Sequence, residues 1–219
     1  MNIEVSHISK KYKKKTILKD ISFAAKEGEC IGILGKNGCG KTTLLSILAG
    51  IQKKDSGSWE IKDTNEVNPF LEIGYVPQGC PFMDDLTVLD NLKLWYNSSC
   101  SNLNEELNNG ILKMLHVDEF THKKVSSLSG GMKKRLSIGC AMANKPRILI
   151  LDEPSASLDL ECKEDIAAYL TKYKQAGGII IITSHEEHEI NLCDTIYILK
   201  DGTLHKHDYK DIPNLLREM

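Results

Sequence analysis

Gly35-Lys36-Asn37-Gly38-Cys39-Gly40-Lys41-Thr42-Thr43 combines three glycines with two lysines and two adjacent threonines. Glycine backbone can turn successive N–H groups inward on an anion, and the spacing fits the phosphate loop G-x-x-x-x-G-K-S/T. In that pattern Lys41 reaches the β and γ phosphates and the Thr42 hydroxyl is a Mg²⁺ ligand, with Lys36, Asn37, Cys39 and Thr43 completing the cradle. At average residue usage the pattern arises by chance in roughly one chain in a hundred of this length, so a plain glycine-rich turn is the weaker reading. A second group, Asp152-Glu153, follows the apolar run Ile148-Leu149-Ile150-Leu151. Two acids at the C-terminal end of a buried strand lie where ligands collect in parallel α/β sheets. Asp152 suits a Mg²⁺ shell there, and Glu153 is placed to orient or deprotonate a water attacking a phosphate.

These groups need a scaffold, and apolar spacing predicts one. Residues 30–34 read as a strand that stops at the glycine-rich turn, and residues 41–49 as the helix that follows. Further strands are expected at 58–62, 73–76, 147–151, 179–183 and 195–199, with a helix at 163–174. Near the start, Ile3, Val5 and Ile8, then Leu18, Ile21 and Phe23, read as two short antiparallel strands joined by a charged turn over the basic stretch 10–15. Between about 80 and 145 the period becomes helical, in Val88, Leu89, Leu92 and Trp95 and again in Leu107, Ile111, Leu112 and Leu115. Strands alternating with helices predict a mostly parallel α/β sheet.

The 219 residues, 41% hydrophobic and 26% charged, suit one domain with an inserted subdomain. The formal charge of -2 offers no whole-chain attraction for nucleic acid, and no nucleic-acid partner is expected. The apolar runs are strand-sized, far short of the ~20 residues that cross a bilayer. No secretion signal opens the chain, so a cytoplasmic protein is expected. The seven cysteines never form C-x-x-C and read as free thiols. His188, His205 and His207 match no motif and read as solvated.

Leu128-Ser129-Gly130-Gly131-Met132 names a family. A serine opening a helix beside two glycines is again anion-recognition chemistry. At this place after a phosphate loop it resembles the LSGG signature of the ATP-binding subunits of ABC transporters. The resemblance runs over nearly the whole chain and implies an α/β P-loop NTPase fold with an N-terminal antiparallel β subdomain and an inserted helical subdomain. It implies one domain over 1–219, with 1–79 and 146–219 as the ATP-binding core and about 80–145 as the helical part carrying the signature.

Further site residues are carried over by the same resemblance. Tyr12 is similar to the aromatic residue that stacks on adenine. Gln78, after Tyr75-Val76-Pro77, resembles the glutamine that senses Mg²⁺ and the attacking water. Asp159 in Ser157-Leu158-Asp159 resembles the loop at the dimer interface, and His185 the histidine that contacts the γ phosphate. Lys41, Gln78, Glu153 and His185 are then the catalytic group. Gly35 to Thr43, Tyr12, Ser129, Gly130 and Gly131 bind nucleotide, and Thr42, Gln78 and Asp152 hold Mg²⁺.

The resemblance implies ATP and Mg²⁺ as cofactors. It also implies a second copy or a related ATPase subunit whose signature closes over this copy's ATP, and separate transmembrane subunits holding the chain at the cytoplasmic face of the membrane. Met132 in place of the glutamine that often follows LSGG, with Lys133-Lys134-Arg135-Leu136 after it, is similar to the branch serving drug, antibiotic, sodium or polysaccharide export. An importer subunit and a non-transport ATPase such as the iron–sulfur assembly type stay open; the short tail to Met219 resembles no importer extension. Phe82 and Met83 are expected to line an apolar groove for a membrane subunit or to pack beneath the helical part.

Overall fold

The structure, a computed structural model, describes residues 1–64, 66, 68–156 and 158–207. Alternating apolar residues build β1 (Asn2–Tyr12) and β2 (Lys15–Lys26), which pair antiparallel. Both strands run longer than their apolar residues indicate. The ladder continues through the basic stretch, which is strand except for the turn at Lys13-Lys14, where Lys13 takes a positive φ of 53°. Lys10 is held there by Asp55 at 3.0 Å.

β3 (Cys30–Leu34) runs into the glycine loop and α1 (Lys41–Leu48) leaves it. β4 (Ser56–Lys62) closes a three-stranded antiparallel sheet in the order β2-β1-β4. β5 (Ile73–Val76) returns to the main sheet, and every helix between it and the next strand falls within residues 88–141. The α-helices are α2 (Val88–Tyr96), α3 (Leu103–Asn108), α4 (Ile111–Met114) and α5 (Gly130–Ala141), with short 3-10 turns at Val117–Phe120 and Val125–Ser127. The helically spaced residues Leu107, Ile111, Leu112 and Leu115 fall on and beside two helices, which are broken at Gly110. The Glu106 carboxylate accepts from the Ile111 N–H at 2.9 Å and starts the second.

β6 (Ile148–Asp152), α6 (Leu160–Gln175), β7 (Ile179–Thr183), α7 (Glu187–Leu192), β8 (Thr195–Lys200) and β9 (Thr203–His207) complete the described chain. The main sheet has the order β5-β6-β7-β3-β8-β9, parallel throughout except for β9, which pairs antiparallel with β8. β9 was not expected, because its residues Thr203-Leu204-His205-Lys206-His207 carry little apolar pattern; the Asp201-Gly202 turn brings the chain back. The tail, 208–219, lies outside the described residues.

The uninterrupted runs of β6 and β7 are explained by what covers them. Leu149, Leu151, Ile180 and Ile182 enter a core with Leu92, Leu136, Ile138 and Ile166 from the helices. Ile148, Ile150, Ile179 and Ile181 enter the other core, with Leu44, Leu45 and Leu48 of α1 and Ile3, Val5, Leu18 and Ile21 of the small sheet. Side chains alternate across a strand, so both faces must be apolar when both are covered. Each fully buried Ile or Leu stabilises the fold by roughly 1.5–3 kcal/mol. No helix among the described residues is long and apolar enough to cross a membrane.

Candidate functional site

β5, β6, β7 and β3 lie side by side and parallel, so their C-terminal ends share one edge of the sheet. Gln78 follows β5, Asp152 ends β6, His185 follows β7, and the glycine loop follows β3. Residues from 35 to 185 are thereby collected by strand order alone.

Two glycines of the loop are there because nothing larger fits. A Cβ on Gly35 would stand 2.5 Å from the Leu199 carbonyl oxygen. One on Gly40 would stand 2.8 Å from Ile17 Cγ2, and Gly40 also has a φ of 116° as it starts α1. Lys41 is 5% exposed, and its Nζ donates to the Gly35 carbonyl at 2.7 Å. The same Nζ is 3.9 Å from Glu153 Oε1.

Glu153 is the hub. Its Oε2 accepts from Gln78 Nε2 at 3.0 Å, and its Oε1 is 3.6 Å from His185 Nε2. Its φ of 49° is rare for a residue with a side chain and costs on the order of 1–3 kcal/mol. Its N–H donates to the Thr183 carbonyl at 3.0 Å and lies 3.1 Å from Thr183 Oγ1. Thr183 Oγ1 in turn donates to Asp152 Oδ1 at 2.7 Å. Asp152 Oδ2 is buried with no hydrogen-bond partner among the described residues. A buried carboxylate oxygen left without a donor fits a divalent cation or a water bound to one.

A cavity of about 310 Å³ opens at this edge, lined by Tyr12, Ile17, Asn37, Gly38, Gly40, Lys41, Thr42, Thr43, Gln78 and Glu153. Tyr12 is 43% exposed, with the Lys10 ammonium 5.5 Å from its ring centroid and its hydroxyl accepting from Gln52. Lys36 is exposed and Cys39 lines a neighbouring cavity with Lys15 and Asp201. Ser129, Gly130 and Gly131 do not line the cavity with the phosphate loop. Ser129 and Gly130 are exposed; Ser129 caps α5, accepting from the Met132 N–H at 3.3 Å. Asp159 caps α6 by accepting from the Cys162 N–H at 2.8 Å, while Ser157 lies outside the described residues.

Three buried polar residues near the site escape sequence reasoning. Thr183 joins the two acids as described. Lys134 of α5 is 5% exposed and donates to the carbonyls of Pro77 at 2.9 Å and Gln78 at 3.3 Å. It ties the helix that begins at Ser129 to the backbone of the Gln78 loop, and burial lowers its ammonium's pKa. Glu189 of α7 is 2% exposed; burial raises its carboxyl's pKa, opposed by hydrogen bonds from Ser155 and Ser184. Neither residue stands out in the runs Lys133-Lys134-Arg135 and Glu186-Glu187-His188-Glu189, because only packing shows which member is inside.

His188 is not solvated as expected. It is half-buried on a cavity of about 220 Å³ between α6 and α7, with Nε2 buried and unpaired among the described residues. His207 Nε2 is likewise buried, whereas His205 is exposed, as expected. All seven cysteines are free.

The sequence model of the ABC transporter family matches residues 18–156. Among curated proteins the chain is 35% identical over 211 residues to the linearmycin resistance ATP-binding protein of Bacillus subtilis, covering 92% of this chain and 67% of that one. It is also 35% identical over 209 residues to a spermidine/putrescine import ATP-binding protein of Bacteroides thetaiotaomicron, covering 92% of this chain and 45% of that one. The chain thus spans between about half and two thirds of the length of these relatives. A dimeric ATP-binding cassette in a post-hydrolysis state, bound to ADP and Pi, superposes with a TM-score of 0.83 at 26% identity, over 95% of this chain and 99% of that one. With a phosphate loop, two acids, a glutamine and a histidine gathered at one sheet edge and the family matched over most of its length, this chain belongs to the ABC transporter family as an ATP-binding ABC ATPase.

Proposed function

We propose that the chain hydrolyses Mg·ATP in a head-to-tail dimer and drives substrate export through separate membrane subunits, from the cytoplasmic face of the membrane. The observation that carries the first part is the convergence of Lys41, Gln78 and Glu153 at one cavity, with His185 3.6 Å from Glu153, while Ser129 and Gly130 face solvent outside it. A signature exposed away from its own phosphate loop is available to another copy's nucleotide. Thr42, Gln78 and Asp152 would hold Mg²⁺, which when bound neutralises charge on the β and γ phosphates. Tyr12 offers its exposed ring to the base, and the loop N–H groups and Lys41 take the phosphates. Glu153 accepts the proton of the attacking water while Gln78 orients that water, and His185 stabilises charge growing on the γ phosphate.

The dimer is tested by mixing two inactive forms, Ser129→Arg and Lys41→Ala. Random pairing makes half the dimers mixed, each with one intact composite site, so about a quarter of the parental hydrolysis rate is expected to return. A mixture no faster than either variant alone rules out head-to-tail sharing.

Export rests on the stretch from Leu128 to Leu136 and accords with the resistance protein's name. The import protein's name among the relatives supports the second reading, an importer subunit. Transport in inside-out vesicles carrying the membrane partner distinguishes them: ATP-driven accumulation means export, and ATP-driven loss means import.

For docking to that partner the structure divides the expected pair. Phe82 packs against the helical core, whereas Met83 is 58% exposed, near Asn91 of α2, whose amide bonds both its N–H and its carbonyl. Leu94 and Trp95 of α2 are also exposed. The docking role accordingly falls to Met83 and α2, with an apolar helix of a membrane subunit as the occupant. Met83→Asp with Leu94→Asp is expected to keep the fold and the basal ATPase but to lose co-purification with the membrane subunit. Full co-purification places docking elsewhere.

A further inference from the structure

Two catalytic groups of the proposed reaction sit on different loops, Glu153 after β6 and His185 after β7. Each loop carries a buried serine beside its functional residue: Ser155, two residues past Glu153, is 0% exposed, and Ser184, immediately before His185, is 2% exposed. Both hydroxyls donate to one carboxylate. Glu189 Oε1 accepts from Ser155 Oγ at 2.5 Å, and Glu189 Oε2 accepts from Ser184 Oγ. The Ser184 hydroxyl also accepts from the Glu186 N–H at 2.9 Å, which joins the His185 loop to the start of α7. Burial raises the Glu189 carboxyl's pKa, and these two hydroxyls are the main groups that oppose it, with a smaller contribution from the neighbouring His188.

We propose that Glu189 is a positioning residue that holds the Glu153 loop and the His185 loop at the spacing the reaction needs, a role that rests on the hydrolytic reading above. Burying a carboxylate costs several kcal/mol, and an apolar side chain would fill the same space without that cost. What the carboxylate adds is direction, since its two oxygens take one donor from each loop. Glu153 is the residue that needs such support, because its backbone is held at a φ of 49°. On the β6 side Thr183 fixes its N–H; on the far side the anchored residue is Ser155. Releasing Ser155 frees the loop to relax that φ and carry the carboxylate away from Gln78, Lys41 and His185. Glu189 itself does not line the nucleotide cavity, so its influence on the reaction runs through the two loops.

The experiment compares parent, Glu189→Ala and Glu189→Gln, each also in the Glu153→Gln background, by ATP affinity from calorimetry and by single-turnover hydrolysis. A misplacement of about 1 Å costs on the order of 10²-fold in rate, so Glu189→Ala is expected to slow hydrolysis by roughly 10- to 100-fold. ATP affinity should stay within about two-fold, since the phosphate loop is untouched. Glu189→Gln keeps an acceptor for one serine, and its amide can donate to the other, so it should recover most of the rate. In the Glu153→Gln background Glu189→Ala should slow hydrolysis by a clearly smaller factor, because one of the two groups whose spacing it sets is already gone. An equal factor in both backgrounds, or affinity falling in step with rate, identifies a merely structural role and overturns the proposal. If Glu189→Ala does not fold, Ser155→Ala, which removes one of the two bonds, replaces it with the same expectations. A parent that binds ATP without hydrolysing it overturns the functional reading and this one together; a hydrolysing parent matched by Glu189→Ala overturns this one alone.

Discussion

Lys41→Ala is expected to weaken ATP binding by roughly 10- to 100-fold, because one hydrogen bond from a charged donor contributes about 1.5–3 kcal/mol. The lysine is buried, and its ammonium already rests on the Gly35 carbonyl with the Glu153 carboxylate 3.9 Å away. A phosphate entering the loop meets a cation desolvated and fixed in advance, which strengthens the contact. Alanine removes the charge without disturbing the glycine turns, whose geometry is set by contacts with Leu199 and Ile17. Calorimetric titration with Mg·ATP measures the effect, with circular dichroism as the check that the variant is folded. An unchanged affinity means that the nucleotide does not sit in this loop.

Glu153→Gln is expected to slow hydrolysis by ~10²- to 10⁴-fold, the usual contribution of a general base, while ATP still binds. The amide can keep a hydrogen bond to Gln78 but cannot take a proton from water. Removing a negative charge 3.9 Å from Lys41 also leaves that ammonium fully available to the phosphates. The ATP-bound state then persists, and the two-copy form should accumulate on gel filtration with ATP. Normal turnover combined with a monomer under those conditions assigns the base elsewhere.

Much of the site was legible because its members announce themselves by type and local context. The glycine loop lies between a strand and a helix, and the paired acids end an apolar run that both faces of a covered sheet require. The family resemblance, carried by Leu128 to Met132, added Tyr12, Gln78 and His185, which as single residues would have passed for ordinary surface groups. Less was legible where local pattern and packing part company. The helical spacing from Leu107 to Leu115 does not show where one helix ends and the next begins, which Gly110 and the Glu106 cap decide. β9 is held by its ladder to β8 more than by any apolar periodicity, and Phe82 and Met83 differ in burial although adjacent and similar in character.

The sequence by itself determined the residue types and their local setting: a glycine loop between a strand and a helix, two acids at the end of an apolar run, and strands that must be covered on both faces. These follow from residue type and short-range spacing, where backbone freedom, charge and side-chain period act within a few residues. Only the tertiary structure decided which of several similar residues act together. Strand order brought Gln78 within 3.0 Å of Glu153 across 75 positions, and a parallel sheet aligned Asp152 with Thr183. The same packing buried Lys134 and Glu189, out of runs of like residues, against the Gln78 loop and the loops that carry Glu153 and His185. A buried charge draws its meaning from the partners that surround it, and those partners arrive from distant parts of the chain only when the fold closes.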